Sequence, residues 1–117
     1  MIYHLAKQQA WQAAQQSGRY TGSEADRADG FLHFSTAKQI AESARKHRAG
    51  EADLVLLGVE EAPLGETLVW EKSRGGALFP HVYGDVPLDA IRLAAPLPLG
   101  ADGAHVFPEL PGDHEPS

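Results

Sequence analysis

Four strand-like stretches of this chain each carry a polar side chain that could do chemistry: His4 in "MIYHLA", His33, Ser35 and Thr36 in "GFLHFST", Glu71 in "TLVWEK", and His81 and Tyr83 in "FPHVYG". Alternate side chains of an extended strand share a face. Phe31, His33 and Ser35 therefore stand together, opposite Leu32 and Phe34, and His81 stands with Tyr83. Glu71 stands opposite Trp70. Imidazoles exchange protons near neutral pH. A carboxylate beside a tryptophan and facing a cleft can have a raised pKa and serve as acid, base or hydroxyl anchor.

Each group also has an ordinary structural explanation. A strand histidine is commonly satisfied by a backbone carbonyl, and a glutamate at a strand end is commonly solvated. Thr36 followed three residues later by Gln39 fits a helix capping box. That box accounts for Thr36 and leaves Ser35 as the hydroxyl in need of a role.

Three histidines and a glutamate match zinc ligands in kind, as a His/Glu metal-dependent hydrolase would need. No pair has the helical spacing of a His-Glu-x-x-His site, and each ligand would come from a different strand, so no metal is assigned. The chain has no cysteine, which excludes disulfides, thiolate nucleophiles and cysteine-based metal sites. Nucleophile-elbow, phosphate-loop and dinucleotide fingerprints are missing from the sequence. "SRGG" is a weak hint of an anion-holding loop.

The positioning elements follow from periodicity. "MIYHLA" reads as a strand with Ile2 and His4 on one face, and "KQQAWQAAQQSG" as a helix stopped by Gly18. Arg19 to Asp29 is polar and aperiodic, so a loop is expected, long enough to act as a lid. "FLHFS" is a strand, and "TAKQIAESARKHRAG" a helix with Ala37, Ile40, Ala41 and Ala44 on its apolar stripe and Gly50 as its stop. "DLVLLGV" has the composition of a central strand buried on both faces. "TLVWEK", "HVYG" and a last strand near Ala90 to Ala95 follow. The expected class is α+β: a small split, mostly antiparallel sheet with two N-terminal helices. Residues 1–97 form one domain, and 98–117 a Pro/Gly-rich extension ending in the mobile tail "PGDHEPS".

The charge balance, 10 basic against 16 acidic residues, does not favour nucleic acid as a partner. The one basic cluster, Ser43 to Arg48, is explained as the cationic last turn of a helix. No apolar run reaches the roughly 20 residues of a membrane span, and the N-terminus lacks a signal-peptide layout. A cytoplasmic protein is expected, with its oligomeric state open.

Taken together, "YHLA", "DGFLHFSTAKQ", "ADLVLLGVE" and "WEKSRGGALFPHVYG" resemble the family of small bacterial proteins catalogued as domain of unknown function 952, over about Met1 to Leu97. That family is similar in fold to the ADP-ribosyltransferases, which grip NAD in the cleft of a split sheet. The resemblance implies a ribose-binding role for His4, a nicotinamide-pocket role for Phe34, Ser35 and Thr36, and a ribose-orienting, cation-stabilising role for Glu71. Tyr83 is the available stacking tyrosine, and Val69 stands where many protein-modifying members carry a second glutamate. The resulting expectation is a cleft lined by His4, His33, Ser35, Glu71, His81 and Tyr83 that takes a nucleotide-like or other small polar ligand. NAD would be its co-substrate if it is a transferase. A non-catalytic ligand-binding or regulatory module is the alternative.

Overall fold

The computed structural model describes residues 1–73 and 75–110. Strand β1 (Ile2–Lys7) leads directly into helix α1 (Gln8–Ser17), which Gly18 ends at φ 90°. Then come β2 (Arg19–Tyr20), α2 (Glu24–Asp29), β3 (Leu32–His33) and α3 (Ala37–His47). The second half is mostly strand: β4 (Leu54–Val59), β5 (Leu68–Lys72), β6 (Leu78–Val82), β7 (Val86–Pro87) and β8 (Ile91–Pro96). Short 3₁₀ segments precede β5 and β8.

The strands form one three-stranded sheet in the order β1-β4-β8, another in the order β3-β6-β5, and a β2-β7 pair, all antiparallel. The two larger sheets are stitched where Tyr3 and Ser35 exchange backbone N–H···O bonds of 2.8 Å each. Every residue of β4 is buried, as its unbroken apolar run predicts for a middle strand. β1 is covered on both faces. Ile2 and Ala6 join a core with Tyr20, Leu32, Phe34 and Val82, while Tyr3 and Leu5 join a second core with Ile40, Ala44 and Leu56.

Two corrections to the sequence reading follow. The stretch expected to be a loop contains β2 and α2, so there are three α-helices among the described residues rather than two. Helix α2 is only six residues long, too short to show a periodicity, and it is nucleated by its cap: the Ser23 N–H donates to Asp26 Oδ2 at 2.8 Å, and the Asp26 N–H returns a bond to Ser23 Oγ at 3.3 Å. Helix α3 ends at His47 with Arg48 as its cap, ahead of Gly50. The Pro/Gly-rich extension is packed on the molecule as far as Leu110. Phe107 and Leu110 pack on the second core, and His105 donates to the Glu51 carbonyl at 2.7 Å. The expected mobile tail, 111–117, lies outside the described residues.

His4 occupies the junction of these parts. Its ring is 2% exposed. Nδ1 lies 2.6 Å from the His33 carbonyl oxygen and Nε2 lies 2.7 Å from the Tyr20 hydroxyl. A carbonyl only accepts, so Nδ1 carries the proton; in the neutral ring Nε2 then accepts from the Tyr20 O–H. Burial lowers the His4 pKa below its ordinary value, against the opposing pull of Asp26, whose Oδ2 is 3.9 Å from Nε2. Burial likewise pushes the Tyr20 hydroxyl well above its usual range, keeping it a donor.

Two outcomes test this frame. Ser23→Ala should cost about 1 kcal/mol of unfolding free energy, measured by urea titration, because the α2 cap is lost. For His4 the sign follows from its lowered pKa. The unfolded chain takes up a proton below about pH 6.5 that the folded ring refuses, so this stability is intact above that pH and lost as pH falls toward the folded value. His4→Gln should lower stability at pH 7.5 but flatten its decline between pH 7 and 5; an unchanged acid limb would contradict the assignment.

Candidate functional site

A cleft of about 760 Å³ runs between α3 and the β5–β6 hairpin. Its helical wall carries Gln39, Ser43, Lys46 and His47, and its sheet wall carries Ala77, Phe79 and His81. The Gln39 side chain, besides completing the α3 capping box with Thr36, donates from Nε2 to the Leu78 carbonyl at 2.9 Å and so ties the walls together. This size suits one small organic ligand.

Register explains which side chains meet. β3 places Leu32 against Val82 and His33 against His81, and β5 places Val69 against His81 and Glu71 against Phe79. Leu32, Phe34, Val82, Leu68 and Trp70 take the core side. The alternation therefore sends Phe31, His33, His81, Tyr83 and Glu71 to the other face. Phe31 lies over three rings of that face, with centroids 4.6 Å from His33, 4.4 Å from His81 and 5.1 Å from Tyr83.

Each of the two histidines on this face is paired with a carboxylate. His81 Nδ1 lies 2.7 Å from Glu71 Oε1, and the Tyr83 hydroxyl donates to the same oxygen at 2.6 Å. His33 Nε2 lies 3.1 Å from Asp29 Oδ2. The bonds from Tyr83 and then His81 hold the Glu71 pKa below the usual carboxylate range, opposite to the raised value its tryptophan neighbour suggested. The reason is exposure: Glu71 faces away from Trp70 and is met by two donors. Tyr83 is correspondingly raised by its bond to Glu71.

Of the residues singled out in the sequence, His33, Ser35 and His81 line the cleft. Ser35 is nearly buried and shares a 3.1 Å hydroxyl contact with Ser43 across the helix–strand seam. Glu71 and Tyr83 stand beside the cleft and reach it through His81. Thr36 contributes its hydroxyl to the α3 cap. His4 borders the floor from beneath, with both ring nitrogens occupied. Among the described residues no three His, Asp or Glu side chains converge as metal ligands. Ser73 and Gly75 of "SRGG" line the cleft, whereas Arg74 lies outside the described residues.

Asp29, Asp26 and Tyr20 were missed. The four-residue spacing of Asp29 and His33 was the one available signal. Tyr20 meets His4 only through tertiary packing, and no local pattern announces that.

Among the described residues no helix is long and apolar enough to cross a membrane. No curated protein matches the chain. The crystal structure of protein CC0527 from Caulobacter crescentus is similar, with TM-score 0.84 and 48% identity over 90% of this chain and 92% of that one. The solution NMR structure of CC0527 gives TM-score 0.76 and 48% identity over 88% and 89%. Residues 5–94 match the family described as Protein of unknown function (DUF952), and the chain belongs to that family.

Proposed function

We propose that the cleft binds a nucleotide-like small polar ligand, with NAD as the first candidate, and that Glu71 acts on the nicotinamide–ribose bond. The observation that carries this reading is the carboxylate held ionised at the cleft's edge by Tyr83 and His81. Both donors bond Oε1, leaving Oε2 for a ribose hydroxyl. Breaking the nicotinamide–ribose bond builds positive charge on the sugar, and a fixed anion beside it lowers that barrier. The mostly antiparallel α+β fold supports the reading by analogy with the ADP-ribosyltransferase resemblance. His4 serves here as a positioning residue that fixes β3, since neither of its nitrogens is open to a ligand.

A non-catalytic binding module on the same cleft is the second reading. Glu71 standing beside the cleft favours it, as does Val69 in place of a second glutamate.

One experiment separates the two readings. NAD should shift the NMR signals of Ser35, His33 and His81 and raise the melting temperature, by about 2.7 kcal/mol of stabilisation at a hundredfold excess over Kd. Nicotinamide release that Glu71→Gln reduces at least about a hundredfold, with binding retained, identifies the enzyme. Binding without release identifies the module, and no response to millimolar NAD removes NAD as the ligand.

A further inference from the structure

The reading above leaves two ring nitrogens of the same cleft without a role. Asp29 and Glu71 accept from His33 Nε2 and His81 Nδ1, so those nitrogens carry the protons. Each neutral ring then holds its lone pair on the other nitrogen, Nδ1 of His33 and Nε2 of His81. Neither atom has a hydrogen-bond partner among the described residues. The β3–β6 register sets the rings opposite each other with centroids 5.2 Å apart, and both line the cleft.

We propose that His33 and His81 are a general base and general acid that cleave a short ribonucleotide phosphodiester by its own 2′-hydroxyl. The step needs one ring neutral, as the base, and the other as the imidazolium acid. The neutral ring takes the 2′-hydroxyl proton and O2′ bonds to phosphorus. The P–O5′ bond breaks, and O5′ takes the imidazolium proton. The products are a 2′,3′-cyclic phosphate and a free 5′-hydroxyl. There is no oxidation or reduction, and the pair ends with its proton exchanged.

The surroundings suit such a substrate. Beside the cleft, the exposed Tyr83 offers a ring of the kind on which bases stack. Across the cleft α3 presents Lys46 and His47 for the phosphate, with Glu42 paired to Lys46 at 3.2 Å. The cleft's size and the chain's net charge of −6 select a dinucleotide over a long polyanion. The inference rests on the nucleotide reading of the cleft.

The test offers the intact protein uridylyl-adenosine and its 2′-deoxyuridine counterpart, following binding by NMR and products by chromatography. The ribo compound should yield the cyclic phosphate with a bell-shaped pH profile, and the deoxy compound should bind uncut. His33→Gln and His81→Gln, checked for folding by melting temperature, should each lose about a hundredfold in rate and one limb of the bell. If both dinucleotides bind and neither is cut, the acid–base pair is overturned and the nucleotide reading stands. Equal cleavage of the deoxy compound also overturns the pair. If neither dinucleotide binds, the pair is overturned while the NAD titration decides the nucleotide reading, and the native protein alone settles both even if a variant fails to fold.

Discussion

The structure depends on one buried imidazole. His4 stands where β1, β3 and the β2–α2 segment meet, and every polar atom of its ring is spoken for. A buried donor or acceptor left unpaired costs about 1 to 3 kcal/mol. The ring therefore stays in one orientation, and whatever it bonds is placed. Through Nδ1 it places the backbone of His33, and through Nε2 it places Tyr20. Asp26 stands behind, with one carboxylate oxygen shared between the α2 cap and the neighbourhood of His4.

That constraint matters because β3 is too short to hold itself. It spans two residues and two registered pairs with β6. Three further ties fix it: the His4 bond to the His33 carbonyl, the Tyr3–Ser35 bridge, and the Phe34 N–H donating to the Pro80 carbonyl at 2.9 Å. With Leu32 and Phe34 locked into the core by burial, pleating decides the rest, and Phe31 and His33 must face outward. The candidate face is in this sense a by-product of the core face. The least exposed histidine of the cluster positions the most exposed one.

The sequence made this face legible, because strand alternation is a strong local rule. It correctly grouped Phe31 with His33, His81 with Tyr83, and Val69 with Glu71. It also separated Ser35 from the capping threonine. What it could not show was contact between segments far apart in the chain. Tyr20 lies 16 residues from His4, and Glu71 meets one donor in β6 and the other just past its end. Helix α2 escaped notice for a different reason: four charged residues and two alanines behind a serine cap carry no hydrophobic period. A tryptophan neighbour can raise a carboxylate, but adjacent residues of a strand point to opposite faces, and Glu71 meets Tyr83 and His81 instead.

Glu71 is where the two proposed chemistries meet, and each asks something different of it. Stabilising a sugar cation needs a full negative charge with one oxygen free to face the ligand. Holding His81 as a proton-transfer group needs a fixed acceptor that keeps the proton on Nδ1. One carboxylate can satisfy both because its donors share a single oxygen. Tyr83 and His81 converge on Oε1, which keeps the group ionised, and Oε2 is left over. Had the donors divided between the two oxygens, the carboxylate would have been equally anionic but closed to a ligand. The geometry of sharing, more than the charge itself, is what makes this edge of the cleft chemically usable.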